Sequence, residues 1–169
     1  MNPETIINRL EANSLVFASL LQSLPQEMYL YKITEESWCL LEVAAHLLDE
    51  EVEDFRARVQ HILTTPDLPL KAIAPHKWPE ERAYLQKEYN RTVAAFLKER
   101  EQSIAWLRSL SNPPWQNAVD HPEVGPRTAL KFLVNWLAHD YHHIRQINRI
   151  HHGYLMATTK DDLTYAGNW

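Results

Sequence analysis

The sequence predicts an all-α fold, a four-helix bundle with long interhelical loops. Three observations lead there. Only three glycines occur in 169 residues, at 125, 153 and 167. That scarcity disfavours a turn-rich β fold, for which glycine is the usual source of tight turns. The prolines cluster at 66–79 and 113–126, with Pro25 apart. Proline is tolerated in loops and first turns but breaks helix interiors, so the proline-poor stretches 3–24, 38–64, 80–111 and 127–152 are the candidate helices. Each stretch also carries apolar residues at three- and four-residue spacing.

In the first stretch the stripe is Ile6, Leu10, Phe17 and Leu21. In the second it runs Leu41, Ala45, Leu48, Val52, Phe55, Val59 and Ile62. The third has Tyr84, Leu85, Tyr89, Val93, Phe96, Leu97, Ile104 and Leu107. The fourth has Leu130, Leu133, Leu137, Ile144 and Ile147, and Gly153 is placed to end it, since glycine commonly follows a helix C-terminus. The loops near 65–79 and 112–126 exceed the usual ~2–8 residues of bundle connections and are expected to pack over the bundle. The tail 154–169 is too short for a fifth long helix, and its aromatics Tyr154, Tyr165 and Trp169 are expected to dock on the bundle.

At 169 residues the chain reads as a single domain spanning 1–169. The glycines permit no phosphate-binding loop, dinucleotide fingerprint or nucleophile elbow. A net charge of −5 offers no electrostatic reason to bind nucleic acid or anionic lipid. No apolar run reaches the ~18 residues of a membrane span. The N-terminal residues lack the basic-then-apolar order of a secretory signal, and one cysteine cannot form an internal disulfide. A cytoplasmic protein is the expectation.

Nine histidines are unevenly distributed, five of them between 139 and 152. His139 and His143 are four apart, share a helix face, and can chelate one ion. They fall on a boundary strip beside the apolar face, where a groove can admit solvent. His142 points about 100° away from His143 and cannot join it from one face. A third ligand must come from His46, His61, His76 or His121. His46 lies roughly 12 Å along its helix, and the fourth-helix pair roughly 18–24 Å along theirs, so a meeting near mid-bundle is allowed. The helical wheel, however, places His46 opposite the apolar stripe, with Glu42, Glu50 and Glu53.

Two segments resemble the DinB-like superfamily of damage-inducible-type four-helix bundles. One is Trp38…Glu42…His46-Leu47-Leu48-Asp49-Glu50. The other is Arg127-Thr128…Trp136-Leu137-Ala138-His139-Asp140-Tyr141-His142-His143-Ile144-Arg145-Gln146. The ending Tyr165-Ala166-Gly167-Asn168-Trp169 is similar to the tail of some members. The resemblance implies a divalent-metal site of His46, His139 and His143, with zinc or nickel as the ion. It further implies a small-molecule substrate, a low-molecular-weight thiol such as bacillithiol, mycothiol or glutathione, and a homodimer. Three neutral imidazoles would leave a +2 ion an open position, the arrangement of a catalytic site.

Around those ligands, Glu50 and Glu42 sit one turn after and before His46. Either can accept a ring N–H or act as general base, with Glu50 the candidate catalytic residue. Asn135 and Gln146 flank the fourth-helix pair as candidate supports. Asp140 falls on the apolar face and requires a buried partner, a tryptophan indole or an arginine. Where the family often has serine or threonine after the tryptophan, Cys39 stands here. A thiol is a poor helix cap, so Ser37 is expected to cap instead, and Cys39 reads as a small half-buried side chain. The function expected is a metal-dependent transferase or hydrolase. The alternatives are a non-catalytic metal-binding or dimerising bundle, and a bundle whose histidines are ordinary polar residues.

Overall fold

The computed structural model describes residues 2–121, 125–159 and 161–167. Helix α1 spans Pro3–Leu21, capped by the Asn2 side chain, which accepts from the Thr5 N–H at 2.8 Å. Helix α2 is α-helical over Leu40–Asp49, π-helical over Glu50–Arg56, and α-helical again over Ala57–Thr64. Helix α3 is Tyr89–Ser109, and α4 is Ala129–Thr159. A two-stranded antiparallel hairpin, β1 (Ala118–His121) and β2 (Gly125–Thr128), leads into α4. Among the described residues no helix is long and apolar enough to cross a membrane.

Two apolar clusters fill the bundle and reveal its directions. One joins the start of α1 (Ile6, Leu10) to the end of α2 (Phe55, Val59), the end of α3 (Ile104, Leu107) and the start of α4 (Leu133, Trp136). The other joins the end of α1 (Phe17, Leu21) to the starts of α2 and α3 (Leu40, Leu47, Tyr89, Phe96) and to Ile147 and Ile150 of α4. Helices α1 and α4 therefore run one way, and α2 and α3 the other. The main packing pairs are α1 with α3, α3 with α2, α2 with α4, and α4 with α1. Chain-consecutive helices α1 and α2, and likewise α3 and α4, thus lie across a diagonal, while α2 and α3 are parallel neighbours. Diagonal and parallel links must travel the width or length of the bundle, which accounts for long connections.

The structure corrects several expectations. The third helix starts at 89, not 80. Ala83 adopts a left-handed φ of 46°, which breaks the chain into a short helix, Trp78–Glu81, and a 3-10 turn, Tyr84–Gln86. The Glu88 carboxylate then caps α3, accepting from the Asn90 and Arg91 N–H groups. Gly153 does not end α4. A Cβ there would lie 3.2 Å from Ile33 and 3.4 Å from Tyr31, so glycine serves the close approach of the 31–33 segment. Tyr154 does pack, edge-on to Tyr31, but Tyr165 is fully exposed and undocked. Trp169 lies outside the described residues. Ser37 closes its own turn onto Thr34 instead of capping α2, where Cys39 takes the cap position.

Candidate metal centre

A buried ion cluster sets the rotation of α4. Arg100 of α3 is 1% exposed and uses all its N–H groups. They donate to both carboxylate oxygens of Glu51, both of Asp140, and the Leu10 carbonyl, over 2.7–3.4 Å. Asn13 donates to Asp140 and the Trp136 indole N–H to Glu51. All four helices contribute. The expected partner of Asp140 is thus Arg100, and the indole goes elsewhere. Trp136 in turn stacks on Phe55 at 5.8 Å, and the Phe55 ring lies 4.9 Å from His139. The residue next to Asp140 is thereby held facing α2.

There the rings of His46, His139 and His143 meet. The Nε2 of His139 lies 3.3 Å from Nε2 of His46 and 3.1 Å from Nε2 of His143. One donor nitrogen from each residue falls within 4.8 Å of the others. His46 reaches the cluster because α2 is buried on every side from Leu40 to Leu47, so the His46 position opposite the apolar stripe is covered too, and there it meets α4. Of the other candidates, His61 bonds the Leu68 carbonyl and sits apart. The side chain of His121 lies outside what the structure describes.

The donor set fits a divalent cation. Gln146 Oε1 lies 2.7 Å from His143 Nδ1. A carbonyl oxygen only accepts, so Nδ1 carries the proton and Nε2 presents a lone pair. Tetrahedral Zn–N bonds of ~2.0–2.1 Å place nitrogens about 3.3 Å apart, matching these separations. Burial lowers the pKa of His46 to about 3, with the neighbouring His143 and His142 adding to it. Burial, then the His143, His46 and His142 rings and the Arg100 charge, take His139 to about 2. For His143, burial outweighs the opposing bond from Gln146 and gives about 4. All three rings are neutral near pH 7 and need lose no proton to bind a metal.

Those shifts carry a stability prediction for chelated protein. The unfolded chain takes up protons at about 6.5 while the folded rings do not. The rings' contribution is therefore full above about pH 6.5 and falls as the pH drops toward the folded values, by up to about 1.4 kcal/mol per pH unit for each ring, while the raised pKa of Glu50 acts in the opposite direction and offsets about one ring. Urea midpoints measured across this range check it; a flat profile contradicts it.

The cluster opens on a cleft of about 710 Å³ walled by Trp38, Glu50, Asp54, Phe55 and His142. Trp38 meets His46 edge-on at 5.0 Å. Glu50 Oε1 is 4.0 Å from His46 Nε2, so it faces the donor nitrogen and is too far to hold the ring. Burial pushes its pKa up to about 8, reinforced by the charge and hydrogen bond of Asp54. Gln146 lies against His143, but two other candidates do not reach the site. Glu42 accepts from the Cys39 N–H at 3.0 Å and pairs with Lys32. Asn135 donates back to the Lys131 carbonyl on the exposed face. Cys39 is buried, and desolvation raises its pKa, as befits an inert thiol.

Sequence reasoning missed Arg100 and Glu51. The signal for Arg100 was present: it lies four residues from both Phe96 and Ile104, inside the third helix's apolar stripe. Glu51 gave none, because the π-helical turn that carries it inward is not written in the periodicity.

Fold and site together define a class: a four-helix bundle with converging imidazoles from two helices at an open cleft. The chain belongs to the DinB superfamily, whose family profile matches residues 9–147. It is similar in structure to YfiT from Bacillus subtilis, described as a probable metal-dependent hydrolase with an unusual four-helix bundle topology. That match has TM-score 0.76 and 18% identity over 88% of this chain and 85% of that one. A second solved structure, TT2238, described as a four-helix bundle protein, matches with TM-score 0.52 and 21% identity over 88% of this chain and 99% of that one. At these identities the likeness is one of fold. No curated protein matches the chain.

Proposed function

We propose that the protein is a metal-dependent enzyme acting on a small-molecule substrate, of hydrolase or thiol-transferase type. His46, His139 and His143 are its divalent-metal ligands. The observation that carries this reading is the convergence of three neutral Nε2 atoms beside an open cleft. A zinc or nickel ion held there would supply a Lewis acid that makes water or a thiol nucleophilic near neutral pH. Glu50, lining the cleft beside His46 with a pKa raised toward neutrality, would exchange a proton with that nucleophile or with the leaving group. Trp38 and Phe55 supply apolar walls to the cleft. Gln146 fixes the tautomer and orientation of His143. The reading extends to a low-molecular-weight thiol as co-substrate, a homodimer and a cytoplasmic setting, all in keeping with the family resemblance.

The test is elemental analysis of untagged protein, followed by assays of ester hydrolysis and of thiol consumption against electrophiles. A stoichiometric ion with turnover of one class is expected. Absence of an ion overturns the metal site. An ion without turnover leaves a non-catalytic metal-binding bundle. Gln146→Leu is expected to weaken zinc affinity about 10–100-fold with little change in melting temperature, because it frees the His143 ring without touching the core. Competition against a chromogenic chelator reads this directly.

A further inference from the structure

Beyond the cleft, α4 presents two arginines that meet no carboxylate among the described residues. From Ala129 to Thr159 its one carboxylate is Asp140, and Arg100 takes it up. Arg145 and Arg149 are exposed and four apart, and so share a face. Among the described residues neither has a carboxylate within ion-pair distance; Arg9, Arg91 and Arg127 share that lack, but only Arg145 and Arg149 stand four apart on one helix and line one groove. In a chain of net charge −5 this bare pair is a local reversal of sign.

The two guanidinium groups line a groove of about 840 Å³, together with His142, His152 and the apolar Ile33 and Met156. The groove adjoins the three-histidine cleft, since His142 and Gln146 line both. Guanidinium forks match the planar oxygens of carboxylate and phosphate, and a concave wall concentrates their field. We infer that this groove is an anion-binding site that anchors the carboxylate or phosphate of a small substrate whose reacting atom lies at the imidazole cluster. The anchoring role rests on the function proposed above; the anion site does not.

The experiment has two arms. In the first, succinate and inorganic phosphate are titrated separately into metal-free protein and followed by amide NMR. Saturable shifts centred on residues 142–153 are expected, and the tighter probe identifies the head group. The double variant R145Q/R149Q should weaken binding about tenfold or more, as loss of a charge-assisted bond implies, and R145K/R149K should retain most of it. Absent or scattered shifts, or equal affinity in the glutamine variant, overturn the site. In the second arm zinc-loaded protein is given p-nitrophenyl hemisuccinate and the neutral p-nitrophenyl butyrate. A kcat/KM preference for the anionic ester that collapses in R145Q/R149Q, chiefly through KM, supports anchoring; turnover of both without preference overturns it. If neither ester reacts yet succinate binds, the hydrolase form of the proposed function and the anchoring role fail and the anion site stands.

Discussion

Arg100→Ala is expected to destabilise the protein by about 3–5 kcal/mol, the usual cost of removing one partner from a buried ion cluster. The reason is charge balance. Glu51 and Asp140 are 1% and 0% exposed, and Arg100 is the cation between them. Without it two carboxylates face each other in the core, with only Asn13 and the Trp136 indole as donors. Thermal and urea denaturation check this, and a drop in melting temperature of roughly 6–20 °C corresponds to that loss for a chain of this size. Arg100→Lys should recover only part, because an ammonium cannot fork to two carboxylates at once. Replacing Arg100, Glu51 and Asp140 together by apolar residues should recover more, since no charge is then left buried. If Arg100→Ala is silent, the cluster does not hold the four helices in register.

The second large effect is expected from His139→Ala. This ring stands between the other two, with Nε2 within 3.3 Å of both partners. Its removal should cost more than the ~100-fold ascribed to losing a supporting residue, and should abolish turnover. His142→Ala should leave zinc affinity unchanged, since that side chain lies outside the converging set. Metal-free His139→Ala should fold normally, because its neighbours Phe55 and Trp136 belong to an apolar cluster that does not depend on it. Chelation of the parent protein should likewise lower the melting temperature by only a few degrees. A zinc finger unfolds without its ion because it has almost no core; this bundle has two apolar clusters running its length. Retained stoichiometric zinc in His139→Ala, or global unfolding on chelation, contradicts the assignment of a catalytic-type site.

The four helices were legible because amphipathic periodicity is local: each stripe repeats within one stretch of chain and needs no knowledge of the partner. The His139–His143 pair was legible for the same reason, as was the demand of Asp140 for a buried partner. Loop chemistry was less so. The left-handed turn at Ala83 and the passage of α4 through Gly153 depend on what packs against them, Tyr84 on Asp49 in one case and Ile33 in the other.

By itself, then, the sequence determined the helical class, the rods and their apolar faces, and the depth of each histidine along its own helix. Only the tertiary structure decided that α2 packs beside α4, that its polar side is enclosed there, and that His46 therefore completes the cluster while Glu42 turns away. The physical reason is that depth follows from the fixed rise of a helix, whereas neighbourhood follows from diagonal and parallel connections that no short-range pattern encodes.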